Sequence, residues 1–166
     1  MFDPKTLILA EQVVHRLTVG GRVLATAESC TGGLVAGAIT AIAGSSACFD
    51  RGYVTYSNDA KSQEIGVRED TLAAHGAVSE ATALEMAIGA LEGSQANVAV
   101  STTGIAGPGG ATAGKPVGMV CFAWAWDSPE GRCTRVLTDV FPGDRTDVRV
   151  AAVQVALRGL LDMPAV

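Results

Sequence analysis

Residues 22–40, RVLATAESCTGGLVAGAIT, decide the fold. The apolar run 22–28 reads as a strand buried on both faces, and Gly32-Gly33 then mark a sharp turn. Beyond the turn, the small side chains of LVAGAITAIAG at 34–44 suit a helix lying close on a sheet. A strand, a glycine turn and a closely packed helix are the opening unit of an α/β protein. Such a turn presents backbone N–H groups at the carboxyl end of a strand, where ligands gather in open sheets.

Upstream, Leu7, Leu9, Val13, Val14 and Leu17 recur at helical spacing, predicting an amphipathic helix over 4–19 that Gly20-Gly21 end. Downstream, FDRGYVTYS at 49–57 alternates as a strand, and NDAKSQEIG reads as a short helix capped by Ser57 or Asn58. Ser79 caps a helix over 79–92, and ANVAVSTTG at 96–104 is a buried strand followed by glycines. GMVCFAWAW and RCTRVLTDVF, separated by Pro129, Glu130 and Gly131, predict a hairpin, and a last helix over roughly 144–162 starts at Asp144. The order α-β-α-β-α-α-β-β-β-α predicts an α/β fold with three layers, α/β/α, around a mixed central sheet. No repeat or long linker divides the chain, so residues 1–166 are expected to form a single domain.

Composition narrows the function. With 12 Lys+Arg against 17 Asp+Glu, the net charge is −5, which argues against nucleic-acid binding through a basic surface. No apolar run reaches the roughly 18–20 residues needed to span a bilayer, and the N-terminus lacks the basic region of a signal peptide. A cytoplasmic protein without membrane partners is expected. Cys30, Cys48, Cys121 and Cys133 form no C-x-x-C pair, and there are two histidines, so no metal site, disulfide framework or Ser-His-Asp triad is indicated. His15 falls on a helix as a surface or structural residue.

Three loops carry candidate chemistry: 27–33, 56–61 and 103–110. GIAGPGGATAGKP at 104–116 contains G-x-x-x-x-G-K, but Pro116 stands where a P-loop needs Ser or Thr, and a strand follows instead of a helix. What remains is a glycine loop able to donate N–H groups to an anion. In the octet TAESCTGG, Cys30 is the better intrinsic nucleophile, yet Glu28 opposes the thiolate it would need. Ser29 needs a base, and a buried lysine with a depressed pKa can supply it; Lys61 is the lysine placed near a second such loop. Ser57 with Lys61 one turn later is a rival pair, although Ser57 also reads as a helix cap. Tyr56 adds a hydroxyl able to pass a proton. The residues alone lead to a Ser/Lys hydrolase or a small-anion-binding protein.

TAESCTGGLVAGAIT, IAGSSACFDRGYVTYSNDAKSQEIGV, HGAVSEATALEMAIGAL, STTGIAGPGG, KPVGMVCFA and FPGDRTDVR, taken in order from about residue 5 to 163, resemble the CinA C-terminal domain family. The resemblance is to its stand-alone form, without a molybdopterin-binding-like domain ahead. It implies deamidation of nicotinamide mononucleotide to nicotinic acid mononucleotide and ammonia in pyridine nucleotide recycling, with no metal or organic cofactor. It further implies Ser29 as nucleophile, Lys61 as base and Tyr56 as a proton-passing group. Backbone N–H groups of Cys30, Thr31, Gly32 and Gly33 are expected at the oxyanion, with Glu28 as an orienting acid. The phosphate is expected against Thr103, Gly104, Ile105, Ala106 and Gly107, helped by Arg145, which could instead pair with Asp144 or Asp147. The loop GPGGATAGKP departs from the family pattern, since related chains often carry an acidic residue after the G-P. Two alternatives stay open: a non-catalytic nucleotide-binding or regulatory domain of the same family, and a Cys30-dependent amidase acting on a free amide. Self-association is expected because the apolar strand edges and helix faces exceed what one small domain covers.

Overall fold

The computed structural model describes residues 2–164. Helix α1, Pro4–Val19, starts where Asp3 accepts the Thr6 N–H at 3.1 Å, and its apolar stripe buries Ala10, Val13, Val14 and Leu17. Strand β1, Leu24–Glu28, is buried along its whole length because it pairs on both edges. Its neighbours are β2, Phe49–Val54, and β3, Val98–Gly104, both parallel to it. Strands β4, Met119–Ser128, and β5, Gly131–Val140, follow antiparallel, giving one five-stranded mixed sheet in the order β2-β1-β3-β4-β5. The chain runs from β1 outward to β2 and then crosses to β3 on the other side. The strand order therefore reverses around β1, and a crevice opens at the carboxyl ends of β1 and β3.

The two faces of the sheet differ in side-chain size. Leu24, Val98, Val100, Val120, Phe122 and Trp124 point to one face, under α1, α2 (Leu34–Thr40) and α6 (Arg145–Leu161). Ala25, Ala27, Ala99, Cys121, Ala123 and Ala125 point to the other, under α5 (Glu80–Glu92), which meets them with Ala83, Ala87 and Ala90. Small residues on both sides of that interface let α5 approach until Ser101 Oγ donates to the Ala83 carbonyl at 2.5 Å. On the opposite face Trp124 needs room, and Gly159 of α6 provides it. The indole Nε1 donates to Ala156 O at 3.0 Å, and a Cβ at Gly159 would overlap the ring. Gly159→Ala is accordingly expected to cost about 1–3 kcal/mol by overpacking, read as a lower urea midpoint with an unchanged slope.

The elements expected from periodicity and capping are present, with two additions. The helix expected over 34–44 ends at Thr40, and a short 3₁₀ turn, Ser45–Ala47, follows it. Between α3, Asn58–Ile65, and α5 lies a further helix, α4, Glu69–His75. Its start has no side-chain cap of its own. Glu85 on α5 serves instead, accepting from the Arg68 N–H at 2.9 Å and from Thr71 Oγ1 at 2.6 Å, so the capping partner is not local. Strands expected to begin at 22 and 96 start at Leu24 and Val98. The strand expected over 49–57 stops at Val54, because beyond it the carbonyls of Thr55 and Tyr56 turn toward Lys61. Among the described residues no helix is long and apolar enough to cross a membrane.

Candidate active site

Ser29 follows the last residue of β1, and its N–H continues the ladder by donating to Thr102 O at 2.9 Å. The side chain is thus fixed at the mouth of the crevice, 9% exposed. Ser57 caps α3 by accepting the Ala60 N–H at 3.0 Å, which settles its role as a cap and turns Lys61, on the first turn, inward. Lys61 is 1% exposed, and its Nζ lies 3.1 Å from Ser29 Oγ, 2.9 Å from Thr55 O and 3.4 Å from Tyr56 O. No carboxylate pairs with it among the described residues. Burial pushes its pKa below the ordinary lysine value. A neutral amine has two N–H donors and one lone pair, and the site offers two carbonyls and one hydroxyl. That match leaves the lone pair for the Ser29 proton.

Glu28 does something the sequence did not disclose. Its buried carboxylate accepts from Thr31 Oγ1 at 2.6 Å, Gly33 N at 3.0 Å, Val35 N at 3.0 Å and Ala36 N at 2.8 Å. It therefore satisfies the N-terminal donors of α2 from the end of β1, with its negative charge at the positive end of the helix. This corrects the expected oxyanion site, because the Gly33 N–H is engaged by Glu28 and the Gly32 N–H by Ser29 O at 3.0 Å. The N–H groups of Cys30 and Thr31 donate to no oxygen among the described residues.

A residue that sequence reasoning missed fixes the Thr31 N–H. Arg149 of α6 donates to Cys30 O at 3.2 Å and Thr31 O at 3.1 Å. In a planar trans peptide the N–H points opposite to the carbonyl, so holding Cys30 O aims the Thr31 N–H away from α6. The available signal was the spacing of Arg145 and Arg149, four apart and hence on one helix face. The thiol of Cys30 belongs to the core under α1, α2 and α6, and burial, reinforced by Glu28, pushes it up to about 12. Both effects disfavour a thiolate nucleophile at Cys30.

Arg145 links two candidate loops. It forms no ion pair among the described residues; one nitrogen donates to Gly107 O at 2.8 Å and the other to Tyr56 Oη at 2.9 Å. Asp144 and Asp147 are occupied with each other's backbone in a capping box. Tyr56 is 60% exposed, and its hydroxyl sits beside Arg145, not Ser29 or Lys61. Thr103 must be removed from the expected phosphate contacts, since its buried hydroxyl already donates to Ala77 O at 2.7 Å. The Ile105 N–H is likewise taken by Met119 O at 2.9 Å, and Gly104 belongs to the β3–β4 ladder. The N–H groups of Ala106 and Gly107 donate to no acceptor among the described residues. Lys115 donates to His75 O at 2.5 Å and leads into β4, so the G-x-x-x-x-G-K run has no phosphate-loop geometry. Among the described residues no group of three His, Cys, Asp or Glu side chains is placed to hold a metal.

Residues 7–163 match the family model described as CinA C-terminal domain. The chain is 56% identical over 160 residues to "Nicotinamide-nucleotide amidohydrolase PncC" of Escherichia coli (strain K12), covering 96% of this chain and 95% of that protein. A "CinA-like protein" of Chloroherpeton thalassium is 56% identical over 137 residues, which are 82% of this chain and 33% of the longer relative. Among solved structures, the competence/damage inducible protein CihA from Agrobacterium tumefaciens superposes with a TM-score of 0.88 at 49% identity, covering 97% of this chain and 96% of that one.

Proposed function

The chain belongs to the CinA C-terminal domain family, and from that premise we propose that it hydrolyses the carboxamide of nicotinamide mononucleotide, releasing ammonia and nicotinic acid mononucleotide. The observation that carries this reading is the desolvated Lys61 amine 3.1 Å from Ser29 Oγ, with two carbonyls absorbing its N–H groups. A serine made nucleophilic by an adjacent base suits acyl transfer.

In the proposed reaction Ser29 Oγ attacks the carboxamide carbon as its proton passes to Lys61 Nζ. The oxyanion forms against the N–H groups of Cys30 and Thr31, each such donor contributing typically about 3 kcal/mol. Lys61 then returns the proton to the amide nitrogen as the C–N bond breaks, while the Tyr56 hydroxyl, held by Arg145, stands at the rim of the site. Ammonia leaves an acyl-Ser29 ester. Water, deprotonated by Lys61, attacks the ester and releases the acid with Ser29 restored. The phosphate fits against Arg145 and the N–H groups of Ala106 and Gly107, and residues 1–166 act as one catalytic domain.

The test is ammonia release from nicotinamide mononucleotide and, separately, from nicotinamide. Release from the nucleotide alone is expected, since the phosphate contacts are part of recognition. Release from neither, with the nucleotide still bound, would replace the amidase by a nucleotide-binding domain.

A further inference from the structure

The turn after Ser29 is held from two sides. On one side Glu28 takes the N–H groups of Gly33, Val35 and Ala36 and the Thr31 hydroxyl. On the other, Arg149 Nε donates to Cys30 O at 3.2 Å and Nη2 to Thr31 O at 3.1 Å. Arg149 is half-buried and forms no ion pair among the described residues, so its guanidinium serves these two carbonyls. It lies close on the turn. A Cβ at Gly32, where φ is +60°, would come within 3.3 Å of Nη2.

Each carbonyl shares a rigid plane with the N–H of the next residue, and the two point in opposite directions. Three such planes make the turn. Arg149 on Cys30 O fixes the first plane and aims the Thr31 N–H. Arg149 on Thr31 O fixes the second, whose Gly32 N–H holds Ser29 O at 3.0 Å. Ser29 O belongs to the third plane, whose N–H is that of Cys30. One guanidinium thus orients both of the turn's undonated N–H groups, Thr31 in one step and Cys30 in two. A charged donor on Cys30 O also polarises that peptide, which makes its N–H a stronger donor.

We propose that Arg149 is a positioning residue of the amidohydrolase reaction, aiming and strengthening the N–H groups of Cys30 and Thr31 toward the oxyanion from the carbonyl side of the turn. This role rests on the reading of Ser29 as nucleophile and Lys61 as base. Arg145, one helical turn earlier, reaches the rim of the crevice instead, so two arginines on one helix face have separate duties.

Steady-state turnover of nicotinamide mononucleotide by Arg149 variants, well below their melting transitions, tests this. Arg149→Met keeps the helix and the bulk but donates nothing. It is expected to lower kcat on the order of 10²-fold, low in the range for losing one oxyanion donor, with KM unchanged because such donors act on the transition state. The midpoint of the pH profile should stay in place, since Lys61 keeps its burial and its partners. Arg149→Lys, a cation able to hold one carbonyl, is expected to recover about fivefold or more of the loss. Arg149→Ala opens the turn to the groove of about 440 Å³ between α1, α2 and α6 that Arg149 lines, and added ethylguanidine is expected to raise its kcat saturably. A side chain that only fastens α6 to the turn would instead lower the melting temperature and leave kcat intact in the folded variants. A folded Arg149→Met with kcat within about threefold of wild type, or a loss carried by KM or by a shifted midpoint, would overturn the proposal and leave the amidohydrolase reading standing. Failure of both lysine and ethylguanidine to restore any rate would overturn it equally. Absence of turnover by wild type would remove both readings together.

Discussion

Ser29→Ala is expected to lower the turnover of nicotinamide mononucleotide by about 10³- to 10⁶-fold, the range over which serine hydrolases lose rate when the nucleophile is removed. The substitution deletes one oxygen whose hydrogen-bond partner is Lys61 Nζ, while the Ser29 N–H keeps its bond to Thr102 O. The strand end and turn should therefore persist, and nucleotide affinity should change little. No neighbouring side chain can substitute. The Cys30 thiol faces the core with its pKa pushed up to about 12, and Ser57 is occupied as a helix cap. Ammonia release and nucleotide binding, measured side by side, separate a lost nucleophile from a lost fold. Substantial turnover by a folded Ser29→Ala protein would eliminate the serine mechanism.

Lys61→Met is the second large effect. It keeps an unbranched side chain of similar length and removes the base, so kcat is expected to fall by about 10²- to 10⁴-fold, the usual contribution of general base catalysis. The pH dependence carries further information. Only the neutral amine can accept the Ser29 proton, so wild-type kcat/KM should rise with pH to a plateau, with the midpoint below the ordinary lysine range because burial disfavours the charged form. The same shift acts on stability. Between the folded value and the ordinary one, the unfolded chain holds a proton that the folded chain has released, so wild-type stability gains with rising pH across that window. Lys61→Met should lack that gain, and the difference between the two proteins should change with pH there. Urea unfolding at several pH values reads it, and parallel curves would mean that Lys61 titrates as an ordinary surface lysine.

What was legible in the sequence was whatever neighbours along the chain determine. Ser57, Ser79 and Asp144 each cap a helix a few residues away, and the Pro129-Glu130 turn joins two strands in register. Alternation of large and small residues in β4 anticipates one face built for bulk and one for close approach. The helix that escaped, α4, is the one whose start depends on Glu85, a residue of another helix.

The site divides along the same line. The residue types around Ser29 and Lys61 implied a nucleophile and a base, since a serine after a strand and a lysine after a second strand are features of local sequence. Which donors remain for the oxyanion was a tertiary matter. Glu28 takes the Gly33 N–H, Thr103 is committed to Ala77, and Arg149 reaches the turn from 118 or more residues away. Such contacts depend on the strand order that brings the ends of β1 and β3 side by side, with α6 laid across them. Sequence by itself fixes the elements, because propensity and capping act over a few residues; only the packed sheet decides which polar groups are satisfied, because each donor's partner is chosen by closeness in space.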